Sequence, residues 1–280
     1  PSESALKRLR NQTFSTKSAQ RRHSIQMGNA CASIAQSEQQ TDFATLPETT
    51  FSYPANDEDS YLSWYQKIFS SVFVATNPFL NLPNFPLNTQ GNWIPEGVNA
   101  VAKQRGANAS ISWQEISELC GFPSIAHVNR ALRLTGSQRV LTELASPADT
   151  EKMLEVCKGQ NFFVPDEGRF SPLAQLSLAR FLKELGHDRI IVANDFGTSP
   201  RMMKSKELLL PDRFEPAEIQ AMDGSVYICI YTDYHYFLVC QSDQSFSVAN
   251  PMSHFEGFFA DENTNDLWGV GDLCDNAKGS

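Results

Sequence analysis

The chain has 280 residues, 41% of them hydrophobic, and a formal net charge of −9 at neutral pH. This length suffices for one large buried core or two modest ones, and the hydrophobic content is ordinary for a globular protein. No apolar run approaches the roughly 20 residues that a membrane-spanning helix needs, and we see no apolar signal-peptide region near the first residue. We therefore expect a cytoplasmic globular protein without membrane segments.

The negative charge lies almost entirely after residue 26. Residues 1–26 contain six basic residues and one acid, a net charge of +5, which leaves −14 for the rest of the chain. The segment 256–275 alone contains six acids and no Lys or Arg. Such an acidic body repels nucleic acid and favours basic partners.

Residues 1–50 are rich in Ser, Gln, Thr and Ala and contain few large apolar side chains. A segment of this composition buries too little apolar surface to offset the entropy lost on ordering. We expect it to be disordered, or an extension upstream of an internal start at Met27. We expect residues 51–280 to form a single domain, with a helical N-terminal part at about 57–157 and a sheet-containing part at about 160–270.

The helical part contains four predicted elements in chain order. Aromatic and aliphatic residues spaced over 57–74 predict a first helix. A capping box at Ser112-Trp113-Gln114-Glu115 predicts a second helix that ends at Gly121. Two more helices are predicted, from Ser124 to about Leu134 and over 147–156.

The sheet-containing part begins with a helix that Ser171 caps and Gly186 ends. The β-branched run 189–193 predicts a strand, and a loop follows over 194–200. Residues 226–231 and 236–240 then form a predicted hairpin whose two faces are both apolar, which is typical of strands covered on both sides. A further short strand is predicted over 257–260.

These elements predict an α+β fold with a small mixed or antiparallel sheet. The central hairpin at about 225–241 is expected to be covered by helices. Cys229 and Cys240 lie in its two apolar strands, so we interpret them as buried, reduced thiols, which is typical of a cytoplasmic protein. A disulfide across the strands stays an alternative, because the sequence does not give the register.

Sequence motifs of nucleotide binding, serine hydrolysis and zinc proteolysis are absent, namely GxxxxGK[ST], GxGxxG after a strand, GxSxG and HExxH. The sequence therefore predicts no catalytic residue, no cofactor and no metal site. Asp261, Asn263, Asn265 and Asp272 have part of the spacing of a calcium loop, but the Gly at the sixth position and the Glu at the twelfth are missing. We interpret that segment as an acidic surface turn.

Asp233, Tyr234 and His235 form a candidate functional cluster at the hairpin tip. A titrating or binding cluster there and a plain solvated turn are both compatible with the sequence. An enzyme site assembled from scattered residues, such as Asp195, Tyr231, Asp233 and His235, also stays open.

The segment 112–134 resembles the helix-turn-helix of AraC-type regulators. Gly121-Phe122 would form the turn, and Arg130 and Arg133 on the second helix would lie near phosphates. Two helices joined at a glycine are also found in ordinary helix packing. The resemblance implies a DNA-binding regulator as an alternative function.

A longer set of short segments resembles an uncharacterised bacterial family, domain of unknown function 2711, over about residues 60–270. The resemblance implies a bacterial cytoplasmic protein with a single α+β domain, and it brings no known activity and no catalytic residues. The segments that carry it are Asn77-Pro78-Phe79 with Leu82-Pro83, Ser112-Trp113-Gln114-Glu115 through Gly121-Phe122-Pro123-Ser124, Phe163-Val164-Pro165-Asp166, and Asp261-Glu262 with Trp268.

Three hypotheses on function follow from these observations. The first is a non-enzymatic, acidic protein-binding module, for example an immunity or inhibitor protein that masks a basic partner. The second is the DNA-binding regulator, although the overall charge disfavours nucleic acid. The third is an enzyme whose site has no sequence signature.

Overall fold

The computed structural model describes residues 51–54, 59–83, 85, 97–136, 145–194, 197, 200–210 and 216–270. All of them lie in one compact unit that spans residues 46–280. The segment 1–50, predicted to be disordered or an extension, lies outside the described residues. Within the described ranges, no helix has the length and apolar character needed to cross a membrane.

The described chain contains a seven-stranded antiparallel sheet, a three-stranded sheet and seven α-helices. The helices are α1 (Tyr61–Tyr65), α2 (Val98–Arg105), α3 (Trp113–Cys120), α4 (Ile125–Leu132), α5 (Pro147–Gln160), α6 (Pro172–Glu184) and α7 (Asp243–Val248). The strands are β1 (Ser71–Thr76), β2 (Phe79–Asn81), β3 (Ser110–Ile111), β4 (Phe162–Phe163), β5 (Arg189–Ala193), β6 (Arg201–Lys204), β7 (Glu218–Ala221), β8 (Val226–Cys229), β9 (Tyr236–Gln241) and β10 (Gly257–Phe259).

The predicted α+β class is confirmed, and the main sheet is larger than the small sheet expected. Its strand order is β10-β1-β9-β8-β7-β5-β6, and every neighbouring pair is antiparallel. Strands β8 and β9 form the predicted hairpin. In the strand order, β8 is the fourth of seven strands and therefore lies in the middle of the sheet. The prediction of a central hairpin is therefore confirmed.

Helices cover both faces of the hairpin, because its side chains alternate between two apolar cores. Tyr227, Cys229 and Leu238 pack in the core that α3, α4 and α5 contribute to. Ile228 and Val239 point the other way, into the core that α6 contributes to. All residues of β8 and β9 are buried.

The first predicted helix, 57–74, is wrong over its second half. Helix α1 ends at Tyr65, and residues 71–76 form strand β1, which pairs with β9 on one side and β10 on the other. The physical reason is that Val72 and Val74 fill one core whereas Phe73 fills the other, a period of two that a helix does not provide. The sheet thus takes one of its inner strands from the part predicted to be helical.

The other four predicted helices begin where the sequence predicts, whereas α2 and α7 were not predicted. Ser112 and Glu115 form the capping box of α3, with the Ser112 amide donating to Glu115 Oε2 over 2.8 Å. Ser124 is the N-cap of α4, and Ser171 caps α6 through a bond from the Ala174 amide of 3.0 Å. Helix α5 continues four residues beyond the predicted end and stops at Asn161.

The cross-strand disulfide is not formed, because Cys229 and Cys240 do not lie opposite each other. In the register of the hairpin, Cys229 faces Leu238 and Cys240 faces Tyr227. Both are buried free thiols, and burial raises the pKa of Cys229 to about 12. The prediction of buried, reduced cysteines is confirmed for these two positions, and Cys120 and Cys157 are also buried and free.

We predict that Ile228→Ala lowers the free energy of unfolding by about 2–5 kcal/mol, because it leaves a cavity in the middle strand. Ile228 is fully buried. Urea denaturation of the variant and the wild type measures the change. The matched control is Ile68→Ala, since Ile68 is 54% exposed and its truncation should change stability by about 0.5 kcal/mol or less. Equal effects of the two substitutions would contradict a sheet covered on both faces.

Candidate functional site

The hairpin tip that the sequence singled out packs against the chain near residue 266. Tyr234 donates its hydroxyl hydrogen to Asp266 Oδ2 over 2.8 Å. Tyr61 of α1 and Tyr53 donate to the other carboxylate oxygen, Oδ1, the latter over 2.9 Å. One buried carboxylate therefore accepts hydrogen bonds from three tyrosines that are distant in sequence.

Arg133 and Tyr236 complete this tyrosine–aspartate cluster. The Arg133 guanidinium lies 4.0 Å from the centre of the Tyr234 ring and donates to the backbone oxygen of Asp266. The hydroxyl oxygens of Tyr61 and Tyr236 lie 2.7 Å apart. The positive charge above the ring and beside the acidic segment partly balances the buried carboxylate.

Burial dominates the electrostatics of the cluster. It raises the pKa of Asp266, although the hydrogen bonds from Tyr61, Tyr234 and Tyr53 act in the opposite direction. Burial also raises the pKa values of these tyrosines well above that of a free phenol. The phenols therefore stay protonated at neutral pH and act as hydrogen-bond donors.

His235 is buried, and so it does not lie on the solvated turn that was the alternative interpretation. Burial, together with repulsion from Arg133, lowers its pKa to about 3. Its Nε2 lies 3.4 Å from the Thr135 hydroxyl. The imidazole is thus neutral at physiological pH.

The remaining residues of the candidate cluster are less buried. Tyr231 is 36% exposed and stacks on Tyr53 with 4.8 Å between ring centres, and Asp233 is partly buried. Asp195, the fourth residue of the scattered enzyme site, lies outside the described residues. An enzymatic role of these residues stays an open alternative.

The segment 266–269 covers one face of α4, the helix that resembled a recognition helix. Gly269 lies so close to Ala126 that a Cβ on the glycine would come within 2.5 Å of the Ala126 Cβ. One turn further, Asn129 donates its side-chain N–H to the Trp268 carbonyl over 3.0 Å. Arg133 contacts Asp266 one turn beyond that, so this face of α4 is not available to a DNA groove.

The two arginines predicted near phosphates are engaged inside the protein. Arg133 is buried, and Arg130 donates to Asp149 Oδ2 over 2.7 Å and to the Ser146 hydroxyl over 3.1 Å. DNA contact through Arg130 and Arg133 therefore has no support in this arrangement. The two helices are an αα pair that packs on the sheet.

The acids of the segment 256–275 include both buried contacts and exposed side chains. Glu256 and Asp266 point inwards: Glu256 accepts backbone hydrogen bonds at the start of α3, and Asp266 holds the tyrosine cluster. Asp261 is exposed, and bonds from Thr264 and Asn263 lower its pKa as in an ordinary turn. Asp272, the last residue of the incomplete calcium spacing, lies outside the described residues, within which no cluster of metal ligands occurs.

Exposed acids and exposed apolar side chains both occur on the part of the chain that follows β9. We call this the 241–270 surface; its segment contains no Lys or Arg. Phe246 is 37% exposed and its ring contacts that of Phe259 in the edge strand β10, with 5.7 Å between ring centres. The exposed residues that define the surface are Asp243, Phe246, Val248, Met252, Asp261 and Glu262.

The sequence analysis missed Tyr53, Tyr61, Asp266 and Glu256 as positioning residues. Asp266 lies in the segment that was interpreted as an acidic surface turn, and Glu256 was counted only among the acids of the C-terminal segment, because neither carboxylate has a local sign of its buried partners. Tyr61 was expected only as an apolar position on a helix. Their partners lie up to 213 residues away along the chain, so only the fold brings them together.

A family with the description "Protein of unknown function (DUF2711)" matches residues 57–270. The matched span contains the seven-stranded sheet, the tyrosine–aspartate cluster apart from Tyr53, and the 241–270 surface. No curated protein and no solved structure matches the chain. The comparisons therefore give a family and no activity.

We predict that Asp266→Ala lowers the free energy of unfolding by about 3 kcal/mol or more. It leaves Tyr234 without its acceptor and takes one acceptor from Tyr61 and Tyr53 in a buried site, and each unsatisfied buried group costs about 1–3 kcal/mol. Glu262→Ala is the matched control, because Glu262 is an exposed acid of the same segment. Denaturant unfolding of both variants tests this, and an Asp266 variant as stable as the control would show that the cluster is not structural.

We predict that His235→Gln makes the protein less sensitive to acid. The folded pKa of about 3 lies below the ordinary value of 6.5, so the unfolded state binds a proton that the folded state does not. The stability is complete above about pH 6.5 and falls towards pH 3, by at most about 1.4 kcal/mol per pH unit from this group. Unfolding free energies of the two proteins between pH 4 and 8 should converge, or cross, as the pH falls; parallel curves would contradict this.

Proposed function

Since this chain belongs to the DUF2711 family, whose description assigns no activity, we propose from its surface chemistry that it is a protein-binding module for a basic partner. The observation that carries the proposal is the 241–270 surface. It combines three exposed acids with three exposed apolar side chains on a segment without Lys or Arg. Apolar anchors supply binding energy, and complementary charge speeds association and selects the partner.

The two edges of the main sheet differ in a way that supports this surface as the binding region. The edge strand β6 carries Arg201 and Lys204, and charged residues of this kind discourage the addition of further strands. The opposite edge strand, β10, consists of Gly257, Phe258 and Phe259 and has no charge. The 241–270 surface thus includes the uncharged edge of the sheet.

Glu256 and Asp266 bond inside the protein, so the acids that this surface offers to a partner are the other acids of the segment. Asp243, Asp261 and Glu262 are all exposed. A partner with Lys or Arg around an apolar centre would complement them, as in the masking of a basic protein by an immunity or inhibitor protein. The reduced state of the buried cysteines supports a location in the cytoplasm for this interaction.

We predict that random peptides displayed on phage and selected on this protein are enriched in Lys or Arg together with aliphatic or aromatic residues. The double variant Val248→Ser, Met252→Ser removes two apolar anchors and should weaken the selected peptides at least tenfold. The double variant Asp243→Asn, Glu262→Gln should weaken them less at high salt than at low salt, because salt screens exposed charges.

Matched controls come from α5, where Leu154 is 37% exposed and Glu155 is an exposed acid. Leu154→Ser and Glu155→Gln should leave peptide binding unchanged. Selected peptides that are acidic, or that bind the surface variants as well as the wild type, would overturn the proposal. Binding of duplex DNA that is saturable and sequence-selective would instead favour a regulator.

A further inference from the structure

A cavity of about 160 Å³ lies between α6, the start of α3 and residues 254–256. Part of its wall is apolar, from Pro78, Leu173, Leu176 and Phe255. The rest of the wall is polar. It consists of the hydroxyls of Thr76, Ser110, Ser112 and Ser177, the guanidinium of Arg180, the imidazole of His254 and the carboxylate of Glu256.

Two donors in this wall have no partner among the described residues. Ser177 and Arg180 are one turn apart on α6 and both line the cavity, so their side chains lie on the same side of the helix. Neither side chain forms a hydrogen bond or an ion pair with a residue that the structure describes. Glu184, one turn beyond Arg180, contacts His254 instead, with 3.0 Å between Oε2 and Nε2.

The unpartnered donors are suited to a carboxylate. A guanidinium is charged at every physiological pH, and its planar fork matches the two oxygens of a carboxylate. The Ser177 hydroxyl adds a neutral donor beside it. The cavity therefore has a positive side on α6.

The opposite side of the cavity is already negative. Glu256 accepts hydrogen bonds from the amides of Trp113 and Gln114, over 2.7 and 2.8 Å, and from the Thr76 hydroxyl over 3.0 Å. Its carboxylate thus occupies the place at the start of α3 where an external anion would bind. Because this charge repels a second anion, the wall favours a ligand with one negative charge over a doubly charged phosphate.

The volume limits the size of the ligand. A protein cavity of about 150 Å³ lined by apolar side chains holds a benzene molecule, so the present cavity has room for one ring or a short branched chain. The apolar wall of Leu173, Leu176 and Phe255 suits such a body.

We propose that this cavity binds a small organic carboxylic acid in its ionised form, with the carboxylate on Arg180 and Ser177 and the apolar body against Leu173, Leu176 and Phe255. The site is independent of the proposed protein binding, which uses other exposed side chains. It adds a small-molecule ligand to a chain whose family description names none.

The test uses benzoate and its neutral analogue benzamide as probes, titrated into the full chain and followed by amide chemical shifts in NMR spectra. Benzoate should bind and shift the amides of α6 around Ser177 and Arg180, and benzamide should bind at least tenfold more weakly. Arg180→Gln should weaken benzoate at least tenfold. Lys183→Gln is the matched control, because Lys183 is an exposed cation on the same helix that does not line the cavity.

Each other outcome overturns the proposal. Equal affinity for benzoate and benzamide would show that no charge is recognised, and equal effects of the two substitutions would show a general effect of surface charge. Inorganic phosphate binding more tightly than benzoate would contradict the preference for a single charge. Failure of benzoate and of the short branched acid isovalerate to bind at millimolar concentration would show that the cavity takes no carboxylate of this size. Both substitutions are at exposed positions, and thermal unfolding confirms that the variants fold.

Discussion

Burial of both faces of the hairpin β8–β9 is the constraint on which the rest of the structure depends. A strand that is apolar on both sides needs a layer of helices above and below it, because either uncovered face would expose a large apolar surface. Helices α3, α4 and α5 supply one layer and α6 supplies the other. The same requirement explains why β1 pairs in the sheet, since the residues of β1 alternate between the same two cores. The positions of the functional candidates follow from these layers.

The polar groups buried beside the sheet are satisfied by partners from distant parts of the chain. Asp266 would be costly to bury alone, and three tyrosine hydroxyls together with the nearby Arg133 reduce that cost. The same contacts attach the C-terminal segment to α1, α4 and the hairpin tip. The arrangement explains why a residue such as Arg133, which resembles a DNA contact in the sequence, instead belongs to the interior.

The charge of the chain is divided between internal and external roles. Glu256 caps α3 and forms the negative side of the cavity, whereas Asp243, Asp261 and Glu262 face solvent. A single net charge therefore says little about partners until the internal acids are identified. The exposed acids Asp243, Asp261 and Glu262 belong to the same segment as exposed apolar side chains, and the unpartnered Arg180 lies on the wall of a cavity. The proposed protein-binding surface and the proposed anion site thus use different side chains.

The sequence by itself determined the features that depend on local residue patterns. These are the α+β class, the caps of α3, α4 and α6, the strand 189–193 and the central hairpin. Helix caps, and strands that are apolar on both faces, depend on residues within a few positions of each other, so they can be predicted without the tertiary structure. The sequence did not reveal that residues 71–76 are a strand, because Phe69 and Val72 also fit a helical spacing, and only pairing with β9 and β10 decides between the two. The tertiary structure alone decided the role of each charged residue. Nothing local in the sequence distinguishes Asp266, Glu256 and Arg133 from Arg180, and what separates an interior anchor from an unpartnered charge is whether a distant segment provides a partner.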